Sequence, residues 1–334
     1  MTPPSSASDG DADGSDGTDD STDDGITDGT DDIDDTNDTD GTDDRTHTDP
    51  DAAFSALSDP VRVDIVRVLA DRYRERPDDP VLAFSTLRKR VGVDDSGRFL
   101  YHLKRLLGTF VAKVDGGYRL TEAGHAVVAA ILAGIYTRRE SVGPTELDSD
   151  CPLCGAGVSG RYADGVLRVA CADGHPLFVW SLPPNAATGR SIPELVAVAR
   201  LHLSHTVELL LAGACPGCWG RTTARLTGLG DDGPLGFRAT CDTCGLRVVG
   251  PVGFCLLAQP DVVGFCHRHG VAPGERYLWE LPFVRRDAAT ELVGDGPAER
   301  PEPATRVRVT VALGDETLRV DLDETAHVVS TAVE

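Results

Sequence analysis

Cysteine spacing constrains this chain more than any other feature. Cys215-Pro-Gly-Cys218 and Cys241-Asp-Thr-Cys244 are two CxxC turns with 22 residues between them. Such a turn aims two thiolates at one point, and two of them from neighbouring hairpins complete a tetrahedron around a zinc-type ion. The spacing is close to that of a zinc ribbon, so Cys215, Cys218, Cys241 and Cys244 are predicted ligands; a redox disulfide pair is the competing use of the same residues. Upstream, Cys151-Pro-Leu-Cys154 is followed, after a strand-like Gly165 to Ala170, by Cys171-Ala-Asp-Gly-His175. The set Cys151, Cys154, Cys171 and His175 offers three sulfurs and one imidazole. Alternatively, His175 only caps a turn and the set lacks its fourth ligand. Four ligands close each site against an activated water, so two structural zinc ions are expected, and no catalysis by them.

All nine cysteines lie at or beyond Cys151, and a metal role explains them without disulfides in a cytosolic chain. Cys255 and Cys266 sit among apolar neighbours and read as buried free thiols. A redox switch through either needs a low thiol pKa, which Phe254, Leu256 and Phe265 disfavour. His267 and His269 beside Cys266 fit no recognisable ligand spacing. His202 and His205, three apart on a predicted helix, read as a satisfied pair and not as ligands.

The formal charge of −22 is unevenly spread. Residues 1–50 hold 18 Asp and one Arg, residues 51–140 carry a net of +3, and residues 141–334 carry −8. Between Phe84 and Arg119 eight bases face three acids. The first 50 residues have almost no large apolar side chains to offset ordering entropy and are predicted to be a disordered acidic tail. Solubility is the plain role for such a tail, and a DNA mimic competing for the basic segment is the sharper one. Three Lys stand against 29 Arg, a composition that resembles proteins of salt-in halophiles. In such a cytosol counterion release adds little to DNA affinity, so base contacts and shape must contribute more.

From Ala53 the apolar pattern Phe54, Leu57, Val61, Ile65, Val68, Leu69 predicts a first helix facing a core. Ala83 to Val91 is a second, and Val93-Asp94-Asp95 is a turn. Asp95 or Ser96 caps a third helix over 96–107, with Phe99, Leu103 and Leu106 inward and Arg98, Tyr101, His102, Lys104 and Arg105 mainly outward. Thr109 to Val114 and Tyr118 to Leu120, joined by Asp115-Gly116-Gly117, form a hairpin. Thr121 and Glu122 open a fourth helix whose stripe Val127, Val128, Ile131, Leu132, Ile135 suits packing or dimerisation.

Leu57-Ser58-Asp59-Pro60-Val61-Arg62, Tyr101-His102-Leu103-Lys104-Arg105-Leu106 and Gly117-Tyr118-Arg119-Leu120-Thr121-Glu122-Ala123-Gly124 resemble ArsR-type winged-helix repressors, notably haloarchaeal ones. The resemblance spans residues 51–140. It implies a recognition helix in the major groove of double-stranded DNA, read by Ser96, Gly97, Arg98, Tyr101, His102, Lys104 and Arg105. Lys113 and Arg119 would contact phosphates from the wing. The family's metal sensors carry a cysteine pair in this domain; here no cysteine precedes Cys151, so metal sensing does not carry over.

The expected fold is therefore α+β: an acidic tail (1–50), a winged helix-turn-helix (51–140) and a C-terminal domain (141–334). That domain is predicted to hold a ribbon over about 148–184, a helix over 191–212, a second ribbon over about 213–252 and a terminal hairpin over about 305–324. Ser191 to Glu194 is a capping box, and Gly296 to Pro303 reads as a linker. No run of about 18 apolar residues exists, and the N-terminus lacks a secretory pattern, which predicts a cytoplasmic protein without a membrane partner.

The leading expectation is a homodimeric transcriptional regulator, with an unspecified effector or protein partner for the C-terminal domain. A basal factor resembling the archaeal relative of the TFIIE alpha subunit, or a protein-docking module, stands behind it. No phosphate-cradling loop, Ser-His-Asp order or HExxH supports an enzyme.

Overall fold

The computed structural model describes residues 49–229, 235–285, 288–293 and 306–334. The chain divides into two units, Met1–His47 and Thr48–Glu334, and every described residue belongs to the second. The predicted acidic tail before Asp49 and the linker near Gly296 to Pro303 lie outside the described residues. Within them the fold is mixed α and β, with helices and four antiparallel sheets.

The first part begins with α1 (Pro50–Ala56) and α2 (Pro60–Glu75). The sequence predicts one continuous helix here, but the chain breaks it at Leu57 to Asp59. Asp59 caps the Val61 amide at 2.8 Å and Pro60 occupies the first turn of α2, where its missing N–H costs nothing. Phe54 consequently leaves the predicted apolar face and is 77% exposed. Next come α3 (Phe84–Val91) and α4 (Ser96–Lys104). Gly92, in the left-handed region, ends α3, and the Arg88 side chain donates to the Val93 carbonyl at 2.9 Å, tying the turn to the helix before it. Asp95, the first of the two expected caps, accepts from the Arg98 amide.

The hairpin β1 (Val111–Val114) and β2 (Gly117–Leu120) is clamped to the residue before α3's cap. The Leu82 amide donates to the Tyr118 carbonyl at 3.0 Å, and the Tyr118 amide donates back at 2.9 Å. After it runs α5 (Glu122–Ala133), shorter than predicted because Gly134 adopts a left-handed cap, so Ile135 falls beyond the helix. A core of its own unites these elements around Ile65, Leu69, Leu87, Phe99, Leu103 and Val111.

The second part is organised by α7 (Ile192–Leu211). Its capping box forms as the spacing demands: the Ser191 amide donates to Glu194 at 2.8 Å. Its stripe Leu195, Ala199, Leu203, Val207, Leu210 is buried, and two sheets pack on it. One is β3 (Ser141–Asp150), β4 (Gly157–Ala163), β5 (Val166–Cys171) and β6 (Pro176–Ser181), in that order. It starts seven residues before the predicted ribbon at 148. The other is β7 (Thr222–Thr227), β8 (Gly236–Cys241) and β9 (Arg247–Pro251). The short α6 (Pro184–Ala187) precedes α7, and α8 (Pro260–Arg268) follows the second sheet.

The predicted terminal hairpin is the middle of a larger sheet: β10 (Ala289–Val293), β11 (Arg306–Leu313), β12 (Glu316–Leu322) and β13 (Val328–Val333). Val307, Val309, Val311, Val320 and Leu322 are fully buried in the same core as α7. On the other face Arg308 and Asp321, directly opposite across β11 and β12, form a bidentate pair at 2.7 and 2.9 Å. Ser330 donates to the same carboxylate at 3.1 Å.

The bond from Arg308 holds the Asp321 carboxyl below its usual range, with burial opposing and Ser330 assisting. A lowered folded pKa stabilises the fold above the unfolded value of about 4 and loses that contribution as pH falls through the folded value. Asp321→Asn is therefore expected to cost about 2 kcal/mol at pH 7. In denaturant titrations the gap to wild type should narrow toward pH 3; a gap independent of pH would refute the assignment.

Candidate metal centres and a basic helix face

The first centre sits where β3 ends and β5 meets β6. Cys151 directly follows β3, Cys154 closes its turn, Cys171 ends β5, and His175 precedes β6. Their ligand atoms all lie within 4.8 Å of one another. The Cys154 and Cys171 sulfurs are 3.7 Å apart, and His175 Nδ1 is 3.4 Å from Cys171 Sγ and 3.9 Å from Cys151 Sγ. The turns close by the Gly155 amide on the Cys151 carbonyl (2.8 Å) and the Gly174 amide on the Cys171 carbonyl (2.9 Å). His175 is thus beside the three sulfurs and not turned away as a simple cap.

The second centre repeats the plan. Cys215 and Cys218 lie between α7 and β7, Cys241 ends β8 and Cys244 precedes β9. The sulfurs pair at 3.7 Å (Cys215 with Cys244) and 3.5 Å (Cys218 with Cys241), again all within 4.8 Å. The two turns press together at Gly220, where a Cβ would meet Thr243 Oγ1 at 2.3 Å.

Amides from within each turn point at sulfur, as a thiolate requires. Gly217 N donates to Cys215 Sγ at 3.4 Å, and Thr243 and Cys244 donate to Cys241 Sγ at 3.4 and 3.5 Å. At Cys241 the Cys244 amide, with the Thr243 amide and neighbouring thiols, outweighs burial and holds the thiol down to about 6. At Cys218 the Gly220 amide lowers the pKa, but the Cys244 and Cys241 thiols and burial prevail and push it up to about 12. Sulfurs this close share protons because they cannot all carry charge alone, and a cation removes that conflict. Both sets are compatible with a bound metal ion, and among the described residues no third such group occurs.

Cys255 and Cys266 are buried, and burial raises both thiols. His269 points its Nε2 at Glu316 (3.1 Å), His202 Nδ1 accepts from Trp180 Nε1 (2.9 Å), and His205 Nδ1 lies 3.2 Å from Glu208. These imidazoles are engaged elsewhere than at the thiol sites.

The predicted DNA-contacting residues divide. Ser96, Gly97, Arg98, Tyr101, Lys104 and Arg105 are exposed on or next to α4, and Lys113 and Arg119 are exposed on the hairpin. The Arg105 guanidinium lies over the Tyr101 ring at 5.5 Å. His102 does not join them. It is 7% exposed, with Nδ1 3.5 Å from Asp59 at the start of α2. At 100° per residue, position 102 lies one turn from Phe99 on the edge of the inward stripe, and α2 covers it. Asp59 is a residue the periodicity missed, since its only local signature is that of a helix cap.

Fold and sites together define a mixed α and β protein bearing two closed thiol-rich centres compatible with two metal ions. The chain belongs to the family described as Domain of unknown function (DUF7351), whose model matches residues 148–328. Residues 50–131 match a second model, described as Domain of unknown function (DUF7347). No curated protein and no solved structure matches the chain. Between the two matched regions lie the end of α5 and most of β3, where the two cores separate. No helix of the described residues is long and apolar enough to cross a membrane.

Proposed function

We propose that this chain is a cytoplasmic DNA-binding transcriptional regulator, a winged helix-turn-helix of ArsR type joined to two zinc-ribbon-like modules. The observation that carries the reading is the outer face of α4. Arg98, Tyr101, Lys104 and Arg105 are exposed, while Phe99, Leu103 and Leu106 on the other side are fully buried. None of these cations, nor Lys113 or Arg119, sits in an ion pair among the described residues. A rigid helix with unpaired cations, next to a two-stranded hairpin, suits a major groove flanked by phosphates. Arg98 is assigned to a guanine edge and Tyr101 to a thymine methyl, with Ser96 and Gly97 admitting close approach of the helix start.

Zinc is the metal that suits closed sites of three or four thiolates, and its role here is structural. Dimerisation through α5 and the residues after it, where Leu132, Ile135 and Tyr136 are exposed, would give a pseudo-palindromic operator. A monomeric mass in high salt would exclude that arrangement.

The test is affinity selection of genomic DNA fragments in molar potassium chloride, comparing the full chain with the Arg98→Ala, Tyr101→Ala double variant. A few promoters sharing a motif should be enriched, and the variant should lose about tenfold or more in affinity. Enrichment of all active promoters would indicate a basal factor. No enrichment would indicate a docking module.

A further inference from the structure

Three CxxC turns in this chain share one backbone plan, and in one of them the residue after the second cysteine is not glycine. The residue after the second cysteine is left-handed in each: Gly155 (φ 73°), Gly245 (φ 73°) and Trp219 (φ 59°). Glycine enters that region freely, whereas a residue with a Cβ, above all a bulky one, is strained there. Trp219 gains nothing by packing in exchange, since it is 74% exposed. Neither the turn nor the core accounts for a tryptophan here, and strain of this kind points toward function.

A second, independent observation lies on the adjoining sheet. One face of β7, β8 and β9 is buried through Leu226, Phe237, Ala239 and Val248. On the other, register aligns Thr223, Thr240 and Arg247 in one row and Arg225, Arg238 and Val249 in the next. Arg221, exposed, stands just before β7 and beside the centre that carries Trp219. None of these four arginines has an ion-pair partner among the described residues, and Arg238 Nε is buried with no hydrogen bond. Asp242, next to Arg221 across the strands, is the face's one carboxylate among the described residues. In a chain of net charge −22, four arginines on one sheet face without an ion-pair partner among the described residues mark a surface for an anionic partner.

We propose that this face binds single-stranded nucleic acid, with the arginines on successive phosphates and the Trp219 ring stacked on an unpaired base. A single ring displayed at a turn tip can stack only on a base already free of its duplex, which selects the single strand. The threonines between the arginines add hydroxyl donors for phosphate oxygens. The site is distinct from α4, so the proposal does not rest on the operator-binding reading.

The test uses the full chain carrying Arg98→Ala and Tyr101→Ala as background, titrated into labelled oligo-dU and oligo-U of about 12 nucleotides and followed by anisotropy. Binding of either strand is expected, and the tighter of the two identifies its sugar. Trp219→Gly should weaken binding about tenfold or more while leaving metal content intact and thermal stability equal or higher, because glycine relieves the turn. Trp219→Phe should keep most of the affinity. Arg225→Ala with Arg247→Ala should flatten the salt dependence by about 1.4 in log–log slope. The proposal is overturned if neither strand binds, if an acidic peptide binds in their place, if Trp219→Gly binds as tightly as its parent, or if that variant unfolds.

Discussion

Removing the proposed zinc from both thiol centres is expected to abolish the cooperative unfolding transition of residues 141–334. The eight candidate ligands sit in four turns, and Leu153 and Trp219 in the first and third of them are 40% and 74% exposed. Those turns fix the ends of β3, β5 and β8, and through them two sheets are seated on α7. A structural zinc site contributes on the order of 10 kcal/mol of folding free energy, comparable with the whole stability of a typical domain. Treatment with a strong chelator should release two zinc equivalents, with loss of near-UV dichroism and of amide protection along α7. Cys151→Ser and Cys215→Ser should each release one equivalent, and readdition of zinc to the wild type should restore the transition. Purified protein with no bound metal and an unchanged melting curve after chelation would refute both the zinc assignment and its structural role.

The second large effect is expected at Gly117. Its φ of 151° is outside the range that side-chain-bearing residues favour, and an added Cβ would stand 2.1 Å from the Leu82 carbonyl oxygen and 2.5 Å from its carbon. Backbone cannot yield as a flexible side chain does, so Gly117→Ala must separate Leu82 from Tyr118 and lose both amide bonds between them. Leu82 and Tyr118 are buried at that seam, and opening it detaches the hairpin from α3. The cost is on the order of 3 kcal/mol, combining backbone strain with two lost hydrogen bonds. Gly116→Ala is the control: its φ of 81° is strained, but nothing lies within 4 Å of the added atom, so about 1 kcal/mol is expected. Chemical denaturation of the two variants should separate them clearly, and metal content should be unchanged because the two cores are distinct. Equal destabilisation by both substitutions would show that the contact with Leu82 does not matter.

The loss of DNA affinity expected under the proposed function for the Arg98 and Tyr101 variant is a smaller effect in free energy, but it is the one that tests that function. The Arg105 ring contact adds a constraint on its interpretation. Tyr101→Ala also releases the Arg105 guanidinium from its 5.5 Å position over the ring, so the double variant perturbs three side chains of α4 and not two. Separate single variants distinguish a base contact from a lost orientation.

Much of this molecule is legible in the order of its residues, because the signals involved are local. A CxxC turn is set within four residues, and the eight predicted ligands are the two groups the fold assembles. Ser191 and Glu194 make a capping box on their own, and Asp95 caps α4 without help from elsewhere, whereas the left-handed stop at Gly134 went unread in the sequence. Other features depended on partners remote in sequence. His102 is at an angle on α4 that periodicity leaves undecided, and it is buried only because Asp59 and α2 lie over it. Phe54 is apolar and correctly spaced, yet the break before Pro60 turns it to solvent. The terminal strands alternate as a hairpin should, but pairing with β10 and β13, and burial against the core of α7, are properties of the assembled sheet. The arginine-rich face of β7 to β9 emerges only when register aligns residues 13 and 11 positions apart. The sequence by itself determined the two thiol-rich groups and the helix caps at Asp95 and Ser191, since each is set within a short local turn or cap. Tertiary structure alone decided which faces are covered and which charges go unpaired, since burial and pairing are energies between segments that local sequence does not encode.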